Sequence, residues 1–214
     1  MPRPSTERGE ASRERILACA LALFAEKGVS ATSVAEVCRE AGVAKTGLYW
    51  HFDSKEGLLA AVLERAASAQ AEQIQKAVYQ EGDPLSRLDA FVGHLRSLLE
   101  HDSEVLRLHL AVALERGNRD KVTRAALRRV SRTLKATIAQ GIEDAVGRTV
   151  PNADLLAHTI LALLDGALLS LVIDPEGTDL DRLQEHMRTT FVLLGQHYLE
   201  AGGVRLADIL GEVP

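Results

Sequence analysis

TSVAEVCREAGVAKTGLYWHFDSKE, residues 32–56, holds two short helices and the turn between them. Ser33 precedes an apolar-periodic run and Glu36 follows three residues later. That is the spacing of a capping box, in which each side chain satisfies one orphan backbone N–H. Val34, Val37, Cys38 and Ala41 recur at helical spacing, and Gly42 supplies the left-handed residue that stops the helix. A second run begins after Val43 and Ala44. Its Leu48 and Phe52 lie four apart and face inward, while Lys45, Thr46, Tyr49 and Trp50 point outward. The pattern is a helix-turn-helix over about residues 33–52, with a second helix of the right size to enter a DNA major groove. No acidic side chain lies between Glu40 and Asp53, so nothing on that helix repels phosphate.

Outward from this motif the chain keeps a helical period. Residues 1–11 carry two Pro, Ser, Thr and charges and read as a flexible arm. Ser12 opens a first helix with Ile16, Ala20, Leu23 and Phe24 on one face, and Gly28 closes it. Asp53 is expected to cap a fourth helix with Glu56 three residues on. Leu58, Leu59, Val62 and Leu63 begin its apolar face, and the pattern runs toward Tyr79. Gly82-Asp83-Pro84 breaks it, with Asp83 as cap and Pro84 at the next first helical position. Further helices are expected over 85–100, 103–116, 119–146, 152–172 and 179–201, and no strand-like alternation or hairpin signal occurs. The expected fold is all-α: a three-helix DNA-binding domain over 12–57 and a larger C-terminal helical bundle over 58–214.

Composition narrows the function. Of 214 residues, 46% are hydrophobic and 26% charged, which suits a globular chain with a sizeable core. The formal net charge of −5 argues against a general nucleic-acid binder. Residues 1–57 hold eight Lys/Arg and eight Asp/Glu, so DNA affinity has to come from placed contacts and not from bulk charge. Two cysteines, Cys19 and Cys38, are too few for a disulfide framework. Arg13 and Arg15 before ILACALALF have the outline of a signal peptide, yet Glu26-Lys27-Gly28 close the run as a helix closes. Cleavage there would strip the helix-turn-helix of its bracing helix, so a cytoplasmic protein is expected. The longest apolar run, Ile160 to Ile173, is 14 residues with Asp165 inside it, short of the ~20 that span a bilayer. No membrane partner is expected.

AGVAKTGLYWHFDSKEGLL resembles the recognition-helix signature of the TetR/AcrR family of bacterial transcriptional regulators, and the preceding RERILACALALFAEKGVSATSVAEVCREAGV resembles that family's first helix and the start of its motif. The likeness covers about residues 12–65. It implies DNA contacts at Thr32, Ser33, Ala44, Lys45, Thr46, Gly47, Tyr49, Trp50, His51 and Lys55. Tyr49, Trp50, His51 and Lys55 would touch phosphates, and the neighbourhood of Lys45 and Thr46 would reach base edges. The chemistry agrees: Lys45 can donate to guanine O6 or N7, and the Thr46 methyl can pack on thymine. Ala44 stands where the family has Ser or Thr, and Thr46 where it often has Gly, so the operator sequence is this chain's own. The blander reading makes Tyr49 and Trp50 surface aromatics of a packing helix.

Other patterns carry less. Cys19 and Cys38 have the outline of a redox pair, but a buried free Cys usually acts as a small hydrophobe. His94, His101 and His109, with Asp102 nearby, raise a metal site, but they fall on two helices without an HxxxH or CxxC pair. No phosphate loop, nucleophile elbow or carboxylate pair is present, so neither enzyme, metal nor cofactor is expected. The segment 152–172 is apolar nearly all round, and the next helix carries an apolar stripe. The family resemblance implies a four-helix homodimer interface there. It is expected at Leu164, Gly166, Ala167, Leu168, Leu183, Met187, Phe191, Leu194 and Tyr198, against the alternative of an internal bundle.

The resulting expectation is a homodimeric repressor on a double-stranded, palindromic DNA operator, released by a small-molecule inducer in the C-terminal core. His94, Arg107, His109, Leu110 and His158 are the candidate ligand contacts. Aromatic residues make up only 4% of the chain, while Leu95, Leu98, Leu99, Leu106, Leu110, Leu114 and Ile138 supply aliphatic surface. An inducer with an aliphatic part and a neutral or anionic polar end fits that set better than an aromatic cation. Two alternatives stand beside it: a TetR-like regulator controlled by a protein partner, and a helical enzyme on a vestigial DNA-binding domain.

Overall fold

The computed structural model describes residues 4–78, 83–101, 103–116, 120–146 and 148–201. Among them are nine helices and no strand: α1 (Pro4–Lys27), α2 (Val34–Ala41), α3 (Lys45–Phe52), α4 (Lys55–Val78), α5 (Pro84–Glu100), α6 (Ser103–Arg116), α7 (Lys121–Val146), α8 (Ala153–Ile173) and α9 (Leu180–Ala201). The fold is all-α, as expected. It divides into two compact units. One joins the chain up to Ala67 with Arg107–Val130, and the other joins Ser68–Leu106 with Ser131 onward. The unit carrying the motif thus runs past the expected boundary at 57 and takes in a later stretch of chain. Tyr79, Gly82, Asp102, Arg119 and Gly147, which bear on the sequence pattern, lie outside the described residues.

In the first unit α1 begins at Pro4, which corrects the expected arm over 1–11. Proline is tolerated at a helix start because its missing N–H would have had no partner, and Glu7, Arg8, Glu10 and Ala11 cost the helix little. Ile16, Leu17, Ala20 and Phe24 are buried along one face. Gly28 ends the helix at φ +80°, with its N–H on the Phe24 carbonyl at 3.0 Å. The capping box of α2 is formed: the Glu36 N–H donates to Ser33 Oγ (3.1 Å) and the Ser33 N–H donates to Glu36 Oε2 (2.8 Å). Gly42 adopts φ +65°, so the chain reverses into α3 without strain. Val37, Cys38 and Ala41 of α2, with Leu48 and Phe52 of α3, are buried where α1, α2 and α3 meet.

The junction of α3 with α4 differs in one respect from the expectation. Asp53 does not cap α4. It closes α3 at φ +54°, its N–H donating to the Tyr49 carbonyl (3.1 Å). Ser54 is the cap, accepting the Gly57 N–H on its hydroxyl (2.9 Å) and the Leu58 N–H on its carbonyl (2.9 Å). Asp is among the few residues that tolerate positive φ, so it takes the reversal and leaves the cap to its neighbour. The two helices approach so closely that a Cβ on Gly57 would strike the Phe52 carbonyl oxygen.

The second unit is held along helix flanks. α5 and α9 run antiparallel, joined by the Phe91–Phe191 ring contact at 6.2 Å between centroids. Arg188 Nε donates to Asp89 Oδ1 (2.5 Å), and Arg96 donates to Asp181 and to Gln184 Oε1 (3.0 Å). α8 packs on both and buries Leu156, Ala157, Ile160, Leu164, Ala167 and Leu168. At 21 residues α8 is long and apolar enough to cross a membrane by length and composition alone, longer than the uninterrupted run read from the sequence. In the fold α5 and α9 cover one side of it.

This packing bears on the residues expected at a dimer interface. Leu164, Ala167, Leu168, Met187 and Phe191 are buried inside the unit, and Tyr198 packs on Val150 and Ala153. Leu183 and Leu194 are half-buried and Gly166 is exposed. A helix apolar on every side gives no periodic signal of which side its own chain takes. Phe191 of the stripe expected to face a second copy meets Phe91 of α5. The apolar surface left outside is instead Leu155, Leu163, Leu169, Val172 and Ile173 of α8, with Leu193 of α9.

Candidate nucleic-acid interface

α3 presents its polar half to solvent because Leu48 and Phe52 bury the other half. Lys45, Thr46, Tyr49 and Trp50 follow one another around the exposed side, with Tyr49 45% and Trp50 78% exposed. An indole that open on an eight-residue helix offers most of its surface to a contact from outside. The His51 ring sits edge-on to Trp50 (4.7 Å) and tilted against Phe52 (5.8 Å). Burial pulls the His51 imidazole below its ordinary pKa, and the Arg13 charge adds to that. The Arg13 guanidinium of α1 lies 5.5 Å from the centre of the Phe52 ring.

The remaining expected contacts divide. Ala44 is exposed and precedes α3 with no side-chain cap; Gly47 behind it is half-buried. Ser33 is exposed, and its hydroxyl oxygen accepts from the Glu36 N–H. Thr32 is corrected: it is 1% exposed, with its hydroxyl 2.9 Å from the Gly28 carbonyl and 3.1 Å from that of Leu23. It closes the end of α1 and has no side-chain group left for DNA. Lys55 opens α4, half-buried, and its ammonium pKa is lowered first by burial and then by Arg116, while Glu56 and Glu36 act to raise it.

Arg116, at the end of α6, carries no local signal in the sequence. Its Nη2 donates to Ser30 Oγ in the α1–α2 turn (3.1 Å), and its Nη1 lies 3.9 Å from Glu56 Oε1 in the first turn of α4. Arg129 of α7 donates likewise to Glu64 of α4 (2.8 Å from Nε). Both arginines stand some sixty residues or more from their partners, beyond any local pattern.

Of the expected ligand contacts, Arg107, His109 and Leu110 belong to the unit that holds α3, and His94 and His158 to the other. Arg107 and His158 are exposed, and Leu114 of the aliphatic set is 78% exposed. Leu95, Leu98, Leu99 and Ile138 are buried in the second unit. Among the described residues no group of three His, Cys, Asp or Glu is placed to hold a metal ion. Burial raises the pKa of the Cys19 and Cys38 thiols, which keeps both protonated at neutral pH and disfavours redox chemistry.

Comparison with known proteins bears on the same two regions. Residues 16–62 match the profile described as bacterial regulatory proteins of the tetR family, and residues 84–194 match that of the BetI-type transcriptional repressor C-terminal region. The HTH-type transcriptional regulator AcrR of Shigella flexneri is 35% identical over 96 residues, 44% of this chain and 45% of AcrR. The chain thus spans less than half the length of this relative. UidR of Escherichia coli K12, also an HTH-type transcriptional regulator, is 27% identical over 80% of this chain and 85% of its own. Among solved structures, the SmeT–triclosan complex superposes with a TM-score of 0.67 at 21% identity, covering 86% of this chain and 91% of SmeT.

Proposed function

This chain belongs to the TetR family of bacterial regulatory proteins, and from that premise we propose that it is a repressor of transcription that binds an operator through α3. The observation that carries the reading is the exposed side of α3. Lys45, Thr46, Tyr49 and Trp50 stand together in solvent, with no carboxylate in the sequence between Glu40 and Asp53. Lys45 and Thr46 read base edges, while Ser33, Tyr49, Trp50, His51 and Lys55 meet the backbone. The match of residues 84–194 to a repressor profile supports repression over activation.

Two such chains act together in the cytoplasm. The apolar residues that α8 and α9 leave exposed, Leu155, Leu163, Leu169, Val172, Ile173 and Leu193, are the surface through which they pair. The pairing sets half-sites about one helical turn apart or slightly more. A small molecule with an aliphatic body releases the operator. The buried leucines of α5 support this reading, and SmeT, a neighbour in fold, was solved as a complex with triclosan. Selection of bound duplexes from a random DNA library tests the whole reading. A partly palindromic consensus is the expected result, and recovery of no enriched sequence would sink it.

A further inference from the structure

Lys55 is the one cation at the start of α4, and two carboxylates, Glu36 and Glu56, act on its charge. Each of them is engaged elsewhere. Glu36 accepts from the Ser33 N–H at 2.8 Å and lies 3.5 Å from Lys27 Nζ. Glu56 lies 3.9 Å from Arg116 Nη1, and the same guanidinium is steadied by its donation to Ser30. The Arg116 side chain is 22% exposed and Glu56 40%. Among the described residues Lys55 itself has no ion-pair partner. Glu56 is its neighbour in sequence, on the same first turn, and its charge already acts on the Lys55 ammonium. An ammonium paired with a carboxylate has less to offer a phosphate, since the phosphate must first displace the carboxylate.

We propose that Arg116 is a positioning residue for DNA binding: by holding Glu56 and the Ser30 turn, it keeps Lys55 uncommitted and available to a DNA phosphate. The inference rests on the DNA-binding reading above and deepens it. Arg116 itself meets no DNA. It acts through Glu56, and its effect is on the number of phosphates neutralised, not on which bases are read.

Salt dependence tests this directly, because each phosphate that the protein ceases to neutralise flattens the slope of log affinity against log salt by about 0.9. The probe is the duplex that the parent chain selects from a random library, titrated between about 50 and 200 mM salt. Arg116→Gln is expected to flatten the slope as Lys55→Ala does, and the two together are expected to flatten it no further. Adding Glu56→Gln to Arg116→Gln is expected to restore the parent slope, with the selected sequence unchanged throughout. This double variant leaves no released carboxylate beside Lys55, Glu36 being held by Ser33 and Lys27, so it gives the reading even where the single variant does not fold. An unchanged slope in folded Arg116→Gln, or a flattened slope in the double variant, overturns the proposal while leaving DNA binding intact. Failure of the parent to bind any duplex would remove the DNA reading, and this proposal with it.

Discussion

The helices around the DNA-facing motif are short and held at their ends; α8 and α9 are long and held along their sides. α2 and α3 have eight residues each, so most of their backbone groups lie within a turn of an end and lack a partner inside the helix. The Ser33–Glu36 box, Gly42, Asp53 and Ser54 supply what is missing. α8 and α9, at 21 and 22 residues, satisfy their own backbones. They gain stability from buried side chains such as Ile160, Leu168 and Phe191. One region is therefore sensitive to changes of polar and turn chemistry, the other to changes of volume.

The largest effect should fall in the long helices. Leu168→Ala removes a side chain that is 1% exposed and should cost about 2–5 kcal/mol in a urea melt, without changing the association state. Leu169→Ala, next to it and exposed, should do the reverse, weakening dimers in sedimentation while barely moving the melt of each chain. A variant pair with these results exchanged would overturn the proposed pairing surface. Next comes Gly57→Ala, expected to cost about 1–3 kcal/mol in the same melt because the added methyl group meets the Phe52 carbonyl. Its affinity for the operator, read by titration, should fall as well, since the displaced α3 is the helix proposed to carry the DNA contacts.

Lys45→Ala separates function from stability in the same short helices. It should leave the melting temperature unchanged and cost about 1–3 kcal/mol of discrimination at one or two base positions. Uniform weakening across all sequences would move Lys45 from the bases to the backbone. Ser33→Ala should cost about 1 kcal/mol, the usual value of a lost cap, with the loss localised by hydrogen exchange to α2.

The smallest effect is one of pH. The Glu36 carboxyl is held below its ordinary range, first by the Ser33 N–H and then by the Ser33 hydroxyl, with Lys27 adding to it. The folded chain thus binds this proton less readily than the unfolded chain. The stabilisation is present above the ordinary glutamate value of about 4.3 and fades as pH falls through the lower folded one. Melts in that acidic window should show a smaller loss for Glu36→Gln than for the parent, and an equal loss would detach the cap from acid stability.

The same contrast explains what could be read in the sequence. Caps and glycines are local signals, and Ser33, Glu36, Gly42, Asp83 and Pro84 all stand in the roles their spacing announces. Sequence spacing places the α4 cap one residue early because both Asp53 and Ser54 suit the position, and only the positive φ at Asp53 decides between them. Thr32 looks like any hydroxyl beside a motif until its bonds to Leu23 and Gly28 are seen. Apolar periodicity tells where α8 and α9 lie but not which side each gives to its own chain. Arg116 leaves no trace at all, because its partners are set by tertiary packing.

A reading head built from two separated stretches of chain also has a history to answer to. The first profile ends at residue 62 and the second begins at 84, yet residues 107–130, inside the second, belong to the head. A recombination event that exchanged the gene at the gap between them would deliver a new α1–α3 onto an inherited α6 and α7. Arg116 and Arg129 would then meet residues other than Ser30, Glu56 and Glu64. Functional hybrids between relatives should therefore need both pieces from one parent, or matching residues at those few positions. DNA specificity in this chain travels more readily by point changes along α3 than by transplanting its front end.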